Sequence, residues 1–465
     1  ASQMEAASFA LASLDVALIH GPPGTGKTTT VLEVIAQSVK RGCKVLACAA
    51  SNIAVDNLTE RLVRVTRGAK VVRVGHPARL LPSVLEASLE AHVLRSDNSA
   101  LASDVRKEQK ELSSRLLKLD RWKRKEAKEI KFELRRLQKE ERQRQQAAVT
   151  EVLSAADVIS TTLTGVSSRQ LKDLEFDLVV IDEAAQALEA ACWGALLKGK
   201  RAVLAGDHLQ LPPTVVSDAA EKQGLGRTLF ERLHAMHGEN VARMLNVQYR
   251  MNARIMRWSS DELYDGLLSA HSSVATHTLS SGGKIGSSSD GAEAAEAVAP
   301  VLLVVDTAGC DMPEYAEEEG DSKQNEGEAR VVLAHAQALI AAGVRAEDIG
   351  IITPYRAQVG LLRERRAEAG AALEALEVST VDGFQGREKE AILISMVRSN
   401  DAGEVGFLSD ARRMNVAVTR ARRHCAIVCD TETVGKNKFL ARLLAYFEAN
   451  GEYRSAMELE GSSPS

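Results

Sequence analysis

The 465-residue sequence has no run of about twenty apolar residues, so it carries no segment of the kind that crosses a bilayer as a helix. No basic-then-apolar signal segment opens it either. Six cysteines (Cys43, Cys48, Cys192, Cys310, Cys425 and Cys429) are scattered without a C-x-x-C pair or a histidine at ligand spacing. That pattern argues against structural zinc and against a disulfide framework, and fits reduced, mostly buried thiols of an intracellular protein of the cytoplasm or nucleus. Aromatic residues make up only 4%, which leaves few platforms for stacking bases. The formal net charge of -4 excludes a chain coated in positive charge, although a local basic groove is all that nucleic-acid binding needs. The first residue is Ala1 and not Met, which leads us to expect a fragment of a longer protein. What is present is ordinary for a globular chain, with 45% hydrophobic and 26% charged residues, and the length suits two or three domains.

The most informative stretch is Gly21-Pro22-Pro23-Gly24-Thr25-Gly26-Lys27-Thr28, a complete G-x-x-x-x-G-K-[ST] pattern followed by Thr29. Apolar Val16 to His20 precedes it as a buried-type strand, and Thr28 to Lys40 follows with helical spacing of apolar residues. Strand, glycine loop and helix together point backbone N–H groups and a helix N-terminus at a phosphate. Lys27 supplies a point charge for the β and γ phosphates, and Thr28 a hydroxyl for Mg²⁺. The expected cofactors are therefore ATP and Mg²⁺.

Strands and helices alternate on both sides of this loop. Lys44 to Ala49, Val71 to Val74, Ala156 to Thr162, Phe176 to Ile181 and Arg201 to Ala205 read as strands, with Ser51 to Asp56 as a turn before a helix from Asn57 to Thr66. Such alternation predicts a parallel sheet covered by helices. The Phe176 strand delivers Asp182 and Glu183, the acids a P-loop enzyme uses to hold Mg²⁺ and to orient and deprotonate water. Gln210, just past the Arg201 strand, falls where a γ-phosphate sensor belongs. Between about residues 84 and 152 the strand signal stops. Lys and Arg outnumber Asp and Glu about two to one from Arg106 to Arg144, and a thin leucine stripe predicts a helical hairpin, either a solvated insertion or a phosphate contact.

A second strand set follows at Val301 to Val305, Ile349 to Ile352, Val378 to Val381, Ile392 to Met396 and Cys425 to Cys429, without a glycine-lysine loop. Residues 269–297 and 314–328 read from composition as mobile loops. One phosphate loop for two α/β domains suggests a nucleotide held in the cleft between them, with Arg250 and Arg420 as candidates to meet the γ-phosphate.

With these motifs in order, the chain resembles the superfamily 1B helicases of the nonsense-mediated-decay helicase group, above all the branch of immunoglobulin-mu-switch-region-binding helicases. The resemblance runs from Gln3 to about Tyr453 and rests on Gly21 to Thr28, Ala50 to Asp56, Asp182 to Gln186, Gly206 to Pro213, Gln248 to Met251, Thr380 to Glu388 and Asn415 to Ala421. It implies two RecA-like P-loop NTPase-type α/β domains with parallel sheets, at residues 1–240 and 241–453, a helical insertion in the first, and a tail at 454–465. It implies ATP-driven 5′-to-3′ movement along single-stranded RNA or DNA with duplex unwinding; the alternative is an ATP-gated clamp or ribonucleoprotein scaffold that never unwinds. Carried over by position, Lys27, Asp182, Glu183, Gln210, Arg250 and Arg420 are catalytic, Thr28 and Asp182 hold the metal, Gln3 and Tyr249 meet the adenine and Glu388 the ribose. Ser51, Asn52, Thr161, Thr162, Thr353, Pro354 and Thr380 line the strand path, where small polar residues suit phosphate contacts without base information. The expected partners are single-stranded nucleic acid and a ribosome or ribonucleoprotein, with no membrane, for a protein that acts as a monomer. Ala50 and Leu209 depart from the residues usual in relatives, and the β-barrel that usually precedes the Gln3 motif is absent from this sequence, as are the modules that follow the core.

Overall fold

The computed structural model describes residues 1–119, 122–280, 298–316 and 322–460. The chain forms two compact units. The first comprises Ala1–Gly21, Lys27–His208 and Pro212–Met244; the second takes Pro22–Gly26 and Leu209–Leu211 together with the chain from Leu245 onward.

In the first unit, helix α1 (Ser2–Ala12) leads into β1 (Val16–His20), α2 (Lys27–Lys40), β2 (Val45–Ala49), α3 (Asn52–Val65) and β3 (Val71–Arg73). After the hairpin α4 (Asp97–Leu117) and α5 (Arg124–Ser154) come β4 (Val158–Thr162), β5 (Phe176–Asp182), β6 (Gly199–Gly206), α6 (Leu229–His237) and β7 (Ala242–Met244). The seven strands are all parallel, in the order β3-β4-β2-β5-β6-β1-β7. Strand β2 is buried at every position, as a sheet covered on both faces requires, and so it reads as a continuous apolar run instead of alternating.

Helix α3 starts at Asn52, five residues earlier than the sequence suggests, because the Ser51 hydroxyl accepts from Ala54 N at 3.2 Å and caps it there. The same segment is pinned from below by a fully buried ion pair: Arg73 Nε donates to Asp56 Oδ1 at 2.7 Å, and Arg73 Nη2 donates to Asn52 Oδ1 at 2.9 Å. The hairpin α4/α5 forms as expected. Part of its positive charge is neutralised internally, as between Arg115 and Glu126 across the hairpin at 2.9 Å.

The second unit contains α7 (Ala253–Leu263), β8 (Leu302–Asp306), α8 (Glu326–Ala341), β9 (Ile349–Thr353), α9 (Arg356–Glu368), β10 (Glu377–Thr380), β11 (Lys389–Ser395), α10 (Ala411–Val418), β12 (Ala421–Cys429), α11 (Lys438–Asn450) and β13 (Glu452–Ser455). Its six strands are again parallel, in the order β10-β9-β11-β12-β8-β13. Leu303, Val305, Ile351 and Leu393 of the sheet pack with Val332, Leu339 and Leu362 of the covering helices in one apolar core.

Three expectations are corrected here. Residues 454–460 do not form a tail: β13 pairs with β8, and Ala456, fully buried, begins a short helix Ala456–Glu460 that packs into the core. Residues 269–280 are folded as well, with Ser269–Ala270 paired to Val247–Gln248 and both Val274 and Leu279 buried. The acidic stretch likewise holds structure at its described ends: Tyr315–Ala316 pairs with Lys323–Gln324, Glu314 Oε2 accepts from Arg398 Nε at 2.7 Å, and Glu326 opens α8. Ser, Gly and acidic composition misleads because a few buried side chains decide whether a segment packs. Residues 281–297, 317–321 and 461–465 lie outside the described residues.

Candidate active site

The Gly21-to-Lys27 turn joins the carboxyl end of β1 to α2, anchored where Gly21 N donates at 3.0 Å to the O of Gly206, the last residue of β6. A Cβ on Gly21 would stand 2.5 Å from Lys27 Cβ, so only glycine lets the lysine return over the strand end. The Lys27 ammonium meets Glu183 Oε2 at 2.5 Å and Asp182 Oδ1 at 3.8 Å. Burial works against that ammonium, but the charges of Glu183 and Asp182 outweigh it and raise its pKa. Asp182 is pushed up to about 6, chiefly by burial, with Lys27 pulling the other way.

Glu183 sits just past β5 with φ 53° and ψ 38°, a left-handed conformation that a glutamate rarely adopts. Its carboxylate also accepts from Gln186 Nε2 at 2.8 Å, and its backbone N donates to Asp182 Oδ1 at 2.9 Å. Strain of this kind concentrates at functional sites. Thr28, half-buried in the first turn of α2, and Asp182 offer a hydroxyl and a carboxylate, an oxygen donor set that suits Mg²⁺ when phosphate oxygens and water complete the shell. Thr29 faces solvent, and Gln3 lies half-buried in the first turn of α1.

The middle of the phosphate loop, Pro22–Gly26, falls within the second unit. Gly24 and Gly26 take φ of +73° and +81°, and the buried Thr25 hydroxyl donates to Pro22 O at 2.7 Å, closing a tight turn. Pro23 is buried beside them. Tyr249 N donates to Gly24 O at 2.8 Å, and a Cβ on Gly24 would approach Arg250 Cβ to 2.7 Å. The sequence reading missed the residue that shapes this corner. Gln248 is fully buried; its Oε1 accepts from Arg250 N and Met251 N, both at 2.7 Å, and its Nε2 donates to Met251 O. A glutamine heading a Q-Y-R-M run was visible, but nothing in the run says that its amide faces inward.

Arg250 ion-pairs with Glu388 through Nε, and its Nη1 donates to Thr419 O at 3.2 Å. Burial lowers the pKa of the guanidinium while Glu388 opposes the shift. Arg420, 2% exposed, donates through Nε to Val416 O at 3.0 Å and through Nη2 to Gln210 Oε1 at 3.4 Å, so the Gln210 segment and Arg420 meet. Asn415 reinforces this meeting: its Nδ2 donates to Leu209 O at 2.8 Å and to the Tyr264 hydroxyl, and its Oδ1 accepts from Ser259 Oγ. This is a second positioning residue that sequence reasoning left without a role. Tyr249 is 43% exposed, with its ring centroid 4.6 Å from that of His271.

The residues expected along a nucleic-acid strand divide into two kinds. Ser51 is exposed, while Asn52, Thr162, Pro354 and Thr380 are half-buried; all five follow the carboxyl ends of β2, β4, β9 and β10 or close them. Thr162 Oγ1 accepts from Gly165 N at 3.1 Å and Thr380 Oγ1 from Gly383 N at 3.2 Å, so each hydroxyl shapes a strand-end turn with its proton directed elsewhere. Thr161 and Thr353 differ from the expectation of exposed contacts: both are fully buried, because they lie within strands covered on both faces, whereas Thr162 and Pro354 stand at or just past the strand ends.

A parallel sheet with a glycine loop at its first strand, the lysine of that loop on two strand-end acids, and a neighbouring strand ending in a Gly-Asp turn defines the P-loop nucleoside triphosphatase class. Two AAA-domain family models match the chain, one over residues 1–218 and the other over residues 225–432. SMUBP-2, a DNA-binding protein of Rattus norvegicus, is 51% identical over 98% of this chain and 45% of its own length. DNA polymerase alpha-associated DNA helicase A of Saccharomyces cerevisiae is 37% identical over 97% of this chain and 68% of its own, and the regulator of nonsense transcripts 1 homolog of Drosophila melanogaster is 35% identical over 96% and 36%. The chain belongs to the superfamily 1 helicases, in the group that includes these proteins. It spans less than half the length of the SMUBP-2 relative. Among the described residues, no helix is long and apolar enough to cross a membrane.

Proposed function

We propose that this chain is the motor core of a helicase that hydrolyses ATP with Mg²⁺ and moves 5′ to 3′ along single-stranded RNA or DNA, opening duplexes as it goes. The observation that carries the reading is the Lys27–Glu183–Asp182 constellation at the ends of β1 and β5. Lys27 binds the β and γ phosphates, and Thr28 and Asp182 hold Mg²⁺, which supplies charge neutralisation at the phosphates when bound. Glu183, just past β5 with its carboxylate beside Lys27, accepts the proton of the attacking water.

Gln210 reports the γ-phosphate to Arg420, and Arg250 and Arg420 bring guanidinium charge to it. For Arg250 this requires that Glu388 release it, either to a ribose or to solvent. Gln3 and Tyr249 meet the adenine. Ser51, Asn52, Thr162, Pro354 and Thr380 touch phosphates of the nucleic-acid strand, and the basic α4/α5 hairpin adds a phosphate contact of its own. The protein works as a monomer, in the cytoplasm or nucleus, on free strands or on a ribonucleoprotein.

The test is ATP hydrolysis with and without matched single-stranded DNA and RNA, run beside a strand-displacement assay on 5′-tailed duplexes. Stimulation by either strand together with displacement supports the reading. Stimulation without displacement identifies a clamp, and hydrolysis indifferent to nucleic acid overturns both.

A further inference from the structure

Three histidines and an aspartate gather in the first unit beside the ends of β1 and β6. His20 closes β1, Asp207 directly follows β6, and His20 and Gly206 are register partners of adjacent strands. This brings His20 Nε2 to 3.0 Å from Asp207 Oδ1, with the two residues 5% and 3% exposed. The His208 ring centroid lies 4.8 Å from that of His20, and one nitrogen of each histidine and a carboxylate oxygen of Asp207 all lie within 4.8 Å of one another. His234, from α6, stands 4.8 Å from His208 centroid to centroid, and the Phe230 ring lies 6.0 Å from that of His208.

The His20–Asp207 contact joins the ends of β1 and β6, and His208 and His234 bring two further imidazoles beside it. We propose that His20, Asp207 and His208 form a site for a divalent transition metal of the zinc class, separate from the oxygen-lined Mg²⁺ position at Thr28 and Asp182.

Tetrahedral zinc with bonds of about 2.0–2.1 Å places its ligand atoms roughly 3.3 Å apart. The 3.0 Å edge between His20 and Asp207 is already near that value, and a small rotation of the half-buried His208 brings the third ligand in. Two imidazoles and one carboxylate suit zinc, cobalt or nickel, whereas magnesium prefers a shell of oxygens, so millimolar Mg²⁺ does not compete effectively. The half-buried His208 and His234 leave an entry path from solvent. A fourth position remains for water, or for His234 after a rotation. The site also has a lever on the phosphate loop, since the charge of Asp207 is among those felt by Lys27, and a cation bound to Asp207 takes that charge away.

Co²⁺ added to the purified chain in excess Mg²⁺ tests this directly, because tetrahedral Co²⁺ absorbs in the visible and octahedral Co²⁺ hardly does. The expected result is one equivalent of tetrahedral Co²⁺, displaced by Zn²⁺, with binding about tenfold weaker or worse in His208→Ala and in His20→Gln. His208 is half-exposed, so His208→Ala tests the site even if His20→Gln fails to fold. Absence of the tetrahedral spectrum in the wild-type chain, or its persistence with unchanged affinity in His208→Ala, overturns the proposal.

Discussion

The two sheets share one plan. Strands β1, β2, β4, β5, β6 and β7 of the first occur in the same chain order and the same spatial order as β8, β9, β10, β11, β12 and β13 of the second, with β3 as the extra edge strand. The first connection of each nevertheless does opposite things. After β1 the chain makes a glycine turn and starts α2 with Lys27, whose ammonium reaches the acids at the end of β5. After β8 the chain runs through a longer connection before α8, and the first turn of that helix presents Glu328, fully buried. Glu328 Oε2 accepts from Ser395 Oγ at 2.7 Å and from Val397 N at 2.8 Å, at the end of β11, the counterpart of β5. Asn325 caps the helix through Glu328 N and holds Met312 O, while Gln358 accepts from Asn325 N and donates to Ser395. Met312 presses so closely on α8 that a Cβ on Gly327 would come within 2.3 Å of it. Where the first unit leaves donors for a phosphate, the second fills the place with its own carboxyl, amides and a methionine. One topology can therefore serve as a binding site or as a packed scaffold, depending on a handful of residues at one strand-to-helix turn.

The sharpest way to break the comparison is at Glu183. Glu183→Gln should lower nucleic-acid-stimulated ATP turnover about 10²–10⁴-fold, read from initial rates with ATP saturating, while folding is unaffected. A variant retaining most of the rate removes the base assignment. At the corresponding turn of the second unit, Glu328→Gln should leave turnover within about threefold, since the β8-to-α8 turn is filled by its own side chains.

The buried pair under α3 comes next. Asp56→Ala leaves the Arg73 guanidinium buried without its carboxylate, which should destabilise the first unit by about 3–5 kcal/mol. Hydrogen exchange should show the loss at β2 and β3, with the second sheet unchanged; equal loss in both units would contradict their separate cores.

Glu328 provides a pH test within the second unit. Burial pushes its carboxyl up to about 8. Folding therefore takes up a proton between the ordinary glutamate value and about pH 8, so this contribution to stability is full at low pH and is lost as pH rises through that window. Relative to wild type, Glu328→Gln should gain on the order of 2–3 kcal/mol at pH 8.5 compared with pH 5.5 in the stability of β8 and β11, measured by exchange corrected for intrinsic rates. An identical pH dependence in the two proteins would show that Glu328 is ionised when folded.

The smallest expected effect is at Ser51. Removing the cap in Ser51→Ala should cost about 1 kcal/mol of α3 stability, seen as local exchange in its first turn. If Ser51 also touches a strand phosphate, the variant weakens nucleic-acid affinity as well and lowers its salt dependence.

The glycine loop, the strand-end acids and most of the strand and helix pattern were legible in the amino-acid order, because each depends on residues close together in the chain and on periodicities of two and 3.6. Asp182 and Glu183 announced themselves as carboxylates after an apolar run, and Lys27 by its spacing from the glycines. Gln248, Asn415 and Glu328 did not, because a polar side chain gives no local sign of whether it faces water or is buried with all its hydrogen bonds made. Nor did the sequence distinguish Thr161 from Thr162, one fully buried and the other half-exposed, since in a strand covered on both faces exposure depends on where the strand ends, which the local pattern does not fix.

Local order alone thus specified two parallel α/β units, a phosphate loop in the first of them, and its lysine and acids. Tertiary structure decided which polar residues are paired inside, that the β8-to-α8 turn is filled with side chains, and that His20, Asp207 and His208 meet. Those outcomes depend on strands brought side by side from nearly two hundred residues apart along the chain, about 187 between His20 and Asp207, a distance over which no periodicity carries information.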